Sequence, residues 1–453
     1  MILRSTILAC LFVLSALSAG AQQPTPEPGR GPDAGVSAAG PDVGVSAEQA
    51  GASDTAQVEE LRRRLDVLAA EIEQLRSGET AQVELTDARR RTLGLAPSAA
   101  ATYRRASEGV SFAGYGEMLL ENFGNRNETG AGGAPTTRLD FLRAVLYAGY
   151  RFNDKFLFNS EIEVEHGNEA FVEFAYVDYL ASEHLTVRGG LLLLPLGLVN
   201  EFHEPNVFLG ARRPETEQRI LPSTWRENGA GILGSVGMVN YRAYVTNGMN
   251  GAGYTSAGLR GGRQRGIQAR AANLALSGRI DVTPTPGVAG GIGFYNGGSG
   301  QEQVILDGAR LDEGTRVIEV HGQAQARGFD LRALFAQASV DQAAEASRAL
   351  RLPANAPIAQ TMQGGYLQAG YNVLSQFRTT LALTPYVRYE RIDTQHRIPA
   401  GFVRDLSRDG VVKTLGVELK PIPHVALKTD YQWFANEAGT GRNQFNINLG
   451  YAF

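Results

Sequence analysis

From Gln444 to Phe453 the chain reads Q-F-N-I-N-L-G-Y-A-F, and this ending constrains everything upstream. Phe445, Ile447, Leu449, Tyr451 and Phe453 share one parity; Gln444, Asn446, Asn448, Gly450 and Ala452 share the other. A strand has period two, so one face is aromatic and aliphatic while the other is small and polar. A strand that shows apolar groups to lipid and polar groups to a lumen has this pattern, as the strands of outer-membrane barrels do.

The 453 residues suffice for one large domain with extensions, and 43 basic residues against 47 acidic ones give no sign of a nucleic-acid partner. Residues 1–21 read as a signal peptide: Arg4, an apolar stretch from Ile7 to Leu17, and a small-residue cleavage site at Ala19-Gly20-Ala21. The single cysteine, Cys10, falls inside it; a lipoprotein reading of Cys10 leaves too short an apolar core after Arg4. Beyond the signal no run of about 18 apolar residues occurs, which excludes a spanning helix.

Residues 22–54, rich in Pro, Ala and Gly, read as a flexible linker. Over 55–78, Val58, Leu61, Leu65, Leu68, Ile72 and Leu75 form a two-position heptad seam, which predicts an oligomerising coiled coil or a helix packed on its own barrel. Residues 79–108 read as a polar connector whose Arg89-Arg90-Arg91 and Arg104-Arg105 face either lipid headgroups or water. Residues 22–108 are too short and too low in complexity for the plug of an active transporter.

From 109 to 453 sixteen strand-like segments follow, near 110–122, 138–152, 156–166, 169–180, 185–194, 228–236, 239–247, 271–283, 288–295, 316–327, 330–340, 363–373, 379–392, 411–421, 425–434 and 444–453. Every second link is short, such as Gly237-Met238, Gly328-Phe329 and Ile422-Pro423. The alternate links are long, apart from His166-Gly-Asn168. Short turns at one end and long loops at the other predict an all-β, antiparallel transmembrane barrel with both termini on the turn side. Sixteen strands predict an aqueous channel rather than a packed interior.

Three stretches, Gly114 to Met118, Leu139 to Tyr147 and Phe158 to Glu163, resemble the phosphate-selective porins O and P. So do His203-Glu-Pro205, Gly210 to Pro214 and Thr224 to Gly229. The resemblance spans about residues 109–453 and implies a trimeric pore with a short periplasmic coiled coil. It also implies a long loop after the fifth strand folded inward as a constriction, here residues 195–227. None of that family's anion-binding positions has a convincing counterpart in this chain.

Strand parity nominates the charges that line the lumen. Arg188, Arg242, Arg279, Arg388 and Lys428 fall on the polar face, but so do Glu161, Glu163, Glu165 and Glu319. Acids of that number cancel the arginines unless the two signs stand on opposite walls. In the constriction, Arg212, Arg213, Arg219 and Arg226 lie among Glu201, Glu204, Glu215, Glu217 and Glu227, so internal pairing is expected for most. The loop 248–270 carries Arg260, Arg263 and Arg265 and no acid, which suits either gathering anions at the mouth or binding lipopolysaccharide phosphates.

No metal-ligand spacing among the six histidines and no nucleophile elbow is present, so neither an enzyme nor a cofactor is expected. The sequence thus points to a passive outer-membrane pore for small solutes, with anions such as phosphate preferred. Its partners would be those solutes, outer-membrane lipid and lipopolysaccharide, two further copies of the chain, and peptidoglycan through the N-terminal segment. The rivals are a pore without charge preference and a structural tether between outer membrane and cell wall.

Overall fold

The structure, a computed structural model, describes residues 84–133, 136–304, 308 and 310–453, with Glu59, Arg62, Arg63 and Asp66 as helical positions before them. The signal peptide, the linker and every position of the heptad seam lie outside the described residues. Period-two alternation becomes sixteen strands: β1 (Gly109–Phe123), β2 (Thr136–Arg151), β3 (Phe156–Glu165), β4 (Glu169–Leu180), β5 (Thr186–Leu193), β6 (Arg226–Val236), β7 (Val239–Asn247) and β8 (Leu274–Thr285). They continue as β9 (Val288–Gly298), β10 (Gly314–Ala326), β11 (Phe329–Val340), β12 (Thr361–Tyr371), β13 (Ala382–Arg397), β14 (Asp409–Ile422), β15 (Val425–Asn436) and β16 (Gln444–Ala452).

Each strand pairs antiparallel with its sequence neighbours, and β16 closes the barrel on β1. Gly114 and Phe453 exchange backbone hydrogen bonds of 2.9 and 2.8 Å, so the C-terminal residue itself seals the seam. The segments expected from sequence match these strands, with the largest departure at β13. There Asn372 organises a turn longer than expected, its Oδ1 accepting from Leu374 N and Leu383 N, each at 3.1 Å. At one of the two-residue turns Arg327 and Gly328 take φ of 51° and 88°, the left-handed pair that a hairpin turn with matching twist requires.

The outer surface is apolar. Ile280, Ile318, Phe335, Leu367, Val387 and Leu415 are exposed, while their strand neighbours point inward and are buried. Aromatic pairs mark the two rims of this belt: Phe156 with Tyr179 and Phe329 with Tyr371 at the turn end, Tyr431 with Trp433 at the loop end. Such a surface contacts hydrocarbon, and the polar lumen faces inward. A concavity of about 1100 Å³ is a groove on this outer face lined by Leu331, Leu367, Val387 and Trp433. It is therefore separate from the lumen.

The interior departs from the open channel expected of sixteen strands. Two sets of chain fill it. The described part of the expected polar connector folds as α1 (Asp87–Thr92) and α2 (Ala101–Arg104), and sits against the inner faces of β1 to β7. Leu93, Leu95, Ala99 and Ala100 are buried there. A short plug is present after all, and its brevity is offset by polar ties: Tyr103 donates to Asp178 at 2.7 Å, and Asn159 donates to the Ala99 carbonyl at 2.9 Å. Arg90, expected at a lipid headgroup or in water, is buried and donates to the Leu95 carbonyl at 2.6 Å.

At the other end the chain between β5 and β6, residues 194–225, turns inward and includes α3 (Thr216–Arg219). Its Leu194, Leu196, Ile220 and Trp225 form one apolar cluster with Met249 and Tyr254 of the β7–β8 loop, Leu311 of the β9–β10 loop, and Ala343 and Ala346 of α4 (Ala343–Ala349). The outer loops thus have a hydrophobic core of their own.

Candidate functional site: the charged wall beneath the inward loop

Residues 206–216 run across the lumen against β11, β13, β14 and β15, and charged wall side chains hold their backbone. Lys420 Nζ donates to the Asn206 carbonyl at 2.9 Å, and Arg332 to that of Val207 at 2.7 Å. Lys428 Nζ donates to the carbonyls of Phe208 at 2.9 Å and Gly210 at 3.2 Å. The Ala211 N–H donates to Asp430 at 2.8 Å, and the Arg212 carbonyl accepts from Arg388 at 3.3 Å. The N–H groups of Glu215 and Thr216 donate to Glu390 at 3.0 and 2.6 Å. Period-two spacing on each strand aims these groups inward, and an irregular segment with unpaired peptide groups accepts them.

The five wall cations nominated from sequence all face the lumen and are all buried, but they divide. Arg188 forms a bidentate pair with Asp178 at 2.7 and 2.8 Å. Arg242 pairs with Glu201 at 2.5 Å and caps the plug by donating to the carbonyls of Arg91 and Thr92. Arg279 pairs with Asp281 at 2.7 Å and donates to the Gly197 carbonyl. These three are neutralised structural groups. Arg388 and Lys428 have no carboxylate within ion-pair distance among the described residues, and Arg388 Nε and Nη1 are buried without a partner.

The loop arginines divide too. Arg219 pairs with Glu215 at 2.7 Å, inside the loop as expected, whereas Arg226 pairs at 2.8 Å with Glu173 of the β4 wall rather than with a loop acid. Arg212 reaches Gln444 at 2.9 Å and Glu121 at 3.4 Å, while Arg213 Nη2 is buried and unpartnered. The mouth cluster is corrected in part. Arg260 donates to the Ser223 carbonyl, and Arg263 to those of Thr224 at 2.6 Å and Pro222 at 3.1 Å, so both brace the inward loop. Arg265 alone of the three is exposed without such a tie among the described residues.

The acids explain the division. Glu161 and Glu163 stand in a row on β3 as expected, and a bulge on β4 opposite them adds Glu173, which no alternation pattern predicts. His203, also missed from sequence, enters from the inward loop with Nε2 3.1 Å from Glu161 and 3.4 Å from Glu173. Burial acts to lower its pKa, but the Glu161 carboxylate and then Glu173 outweigh this and hold it above the usual imidazole value. Its neighbour Glu204 accepts from Ser98 N at 2.8 Å and Ser98 Oγ at 3.1 Å, yet burial lifts its pKa to about 7. The acidic wall is β1 to β4; the cations without ion pairs stand on β13 and β15.

Beside the plug, between Gly94, Tyr147, Phe174 and Arg188, only about 10 Å³ is left. Larger lumenal spaces lie against β13 and β14. One, about 350 Å³ at the turn end, is lined by Asn206, Phe208, Asp330, Glu418 and Lys420. The other, about 280 Å³ at the loop end, is lined by Arg212, Arg219, Arg408 and Arg442 with Glu215 as its acid. Residues 208–212 separate them.

Several solved structures share this architecture. Salmonella typhi OmpF, in complex with daunomycin, aligns with a TM-score of 0.51 at 13% identity, over 77% of this chain and 100% of that one. The outer-membrane channel DcaP of Acinetobacter baumannii aligns with a TM-score of 0.50 at 13% identity, over 77% and 98%. Pseudomonas putida OprB aligns with a TM-score of 0.50 at 11% identity, over 76% and 94%. These likenesses establish a porin-type barrel fold. No protein-family model matches the chain. An uncharacterized protein of Aquifex aeolicus is 36% identical over 367 residues, covering 77% of this chain and 81% of that one, and this chain belongs to the same family.

Proposed function

We propose that this protein is a passive outer-membrane porin whose solute path follows the wall of β13 to β15 rather than the barrel axis. The observation that carries this reading is the pair of lumenal cavities on that one wall, with residues 208–212 as the constriction between them. Of the four arginines at the loop-end cavity, Arg212, Arg219 and Arg408 pair with Glu121, Glu215 and Asp405 while Arg442 has no carboxylate within ion-pair distance among the described residues, and Arg388 and Lys428 stand beside the constriction. A cation that binds only peptide carbonyls retains a net field for an anion, whereas one in a bidentate ion pair does not. Small anions are therefore the proposed solutes, phosphate among them, because a guanidinium suits its oxygens. Weak successive contacts let such an ion leave again.

The proposed assembly is a homotrimer in the outer membrane of a Gram-negative bacterium, reached through a cleaved signal peptide, as the resemblance to phosphate-selective porins implies. The role is transport, not catalysis. The test is reversal potential in planar bilayers under a salt gradient, followed by phosphate competing against chloride. A potential favouring anions supports the reading; one favouring cations rejects it, and one near zero returns the general porin.

A further inference from the structure

Glu161, Glu173 and His203 place one ligand atom each within 4.8 Å of the others, and all three side chains are buried. The strand β3, the β4 bulge and the inward loop each supply one. His203 Nδ1 lies 2.9 Å from the Asn200 carbonyl, a contact that requires a proton on Nδ1. In the neutral ring Nε2 then carries a lone pair, and it faces carboxylate oxygens at 3.1 and 3.4 Å. Three acceptors turned toward one point repel unless a cation stands among them.

Each ligand is also held from behind. Glu173 Oε1 accepts from Thr224 at 2.5 Å and Arg226 at 2.8 Å, and Glu161 Oε1 accepts from Tyr115 at 3.2 Å. Glu161 Oε2, on a residue 0% exposed, has no hydrogen-bond donor among the described residues, while Glu173 shares a hydrogen bond with Glu163. Such outer contacts orient ligands in metal sites. Glu117, Glu163, Glu165 and Glu173 gather around Arg143 and Arg226 beside Glu161, and buried carboxylates require compensation.

We infer that Glu161, Glu173 and His203 bind a divalent first-row metal ion, of the Zn²⁺ class, that ties the inward loop to the barrel wall. One imidazole and two carboxylates suit such an ion better than Mg²⁺ or Ca²⁺, which take oxygen alone. Tetrahedral ligands about 2.0–2.1 Å from Zn²⁺ stand roughly 3.4 Å apart, close to the separations present. A fourth position is left for water. The site lies on the acidic wall and stands independently of the proposed anion path.

The competing occupant is a proton, which makes His203 an imidazolium between two carboxylates. The full mature protein in detergent, stripped with chelator and re-equilibrated, is titrated with Zn²⁺ by calorimetry and with Co²⁺ by visible absorption. One Zn²⁺ per chain is expected, with Co²⁺ bands in the region of mixed nitrogen and oxygen ligation. His203→Gln and Glu173→Gln are each expected to weaken binding by more than about 100-fold, with sheet circular dichroism unchanged. Absence of saturable binding by the wild-type protein would overturn the inference in favour of the proton, whatever the variants do. So would binding of equal strength in both folded variants.

Discussion

The two walls of this lumen carry the same residue types at the same strand parity and use them differently. On β4 to β8, Arg188, Arg242 and Arg279 each meet a carboxylate and lie next to packed chain. On β13 and β15, Arg388 and Lys428 meet, among the described residues, no carboxylate but the backbone of residues 208–212, with Lys428 also over the Phe208 ring at 4.1 Å. The first wall is neutralised and filled, while the second keeps uncompensated charge next to the cavities. An arginine facing the lumen is therefore no evidence of an anion site until its partner is known. A guanidinium in a buried bidentate pair is structural, because its charge is already compensated.

That contrast can be broken experimentally. The largest effect is expected from excising residues 206–213 with a short glycine bridge, which joins the two cavities. Single-channel conductance should rise several-fold with barrel content unchanged, and an unchanged conductance would place the solute path elsewhere. Next comes the packed wall. Asp178→Ala strands the buried Arg188 and is expected to cost about 3–5 kcal/mol, read from the thermal unfolding of the barrel. Lys428→Met strands no carboxylate in an ion pair and should cost clearly less; equal costs would erase the distinction between the walls.

The tie between plug and inward loop should depend on pH. Glu204 has a folded pKa of about 7, above the unfolded carboxylate value, so the folded state holds its proton more tightly. The resulting stability is fully present below about pH 4.3 and is lost as pH rises through about 7; it amounts to roughly 3 kcal/mol. Thermal midpoints measured from pH 4 to pH 8 should fall over this window in the wild type, and less so in Glu204→Gln. A parallel fall in both would remove Glu204 as the cause. The smallest effect concerns selectivity: Arg388→Gln should lower the anion-to-cation permeability ratio a few-fold, while Arg279→Gln should leave it nearly unchanged. The reverse order would move the path to the packed wall.

The barrel was legible because its signal is local. Alternation along β16, or the face shared by Arg279 and Asp281 on β8, depends on residues two apart, and turn chemistry such as Arg327-Gly328 on residues side by side. From these the strand number, the lipid-facing set and the lumen-facing set follow. Glu173 escaped because a bulge breaks the alternation that would have revealed it. The plug escaped because Leu93, Leu95 and Ala99 have no period of their own; only the concave wall that receives them makes them a core.

The sequence by itself determined a closed barrel, its orientation to lipid, and which charges point inward, since a strand's two faces are written in its own residues. Tertiary structure alone decided which of those charges are spent on a carboxylate and which remain. Asp178 reaches Arg188 across a neighbouring strand, but the partners of Lys428, the carbonyls of Phe208 and Gly210, come from more than two hundred residues away. No short-range pattern encodes a contact of that kind, because its energy depends on the path of an irregular loop through the lumen and not on the strand that bears the charge.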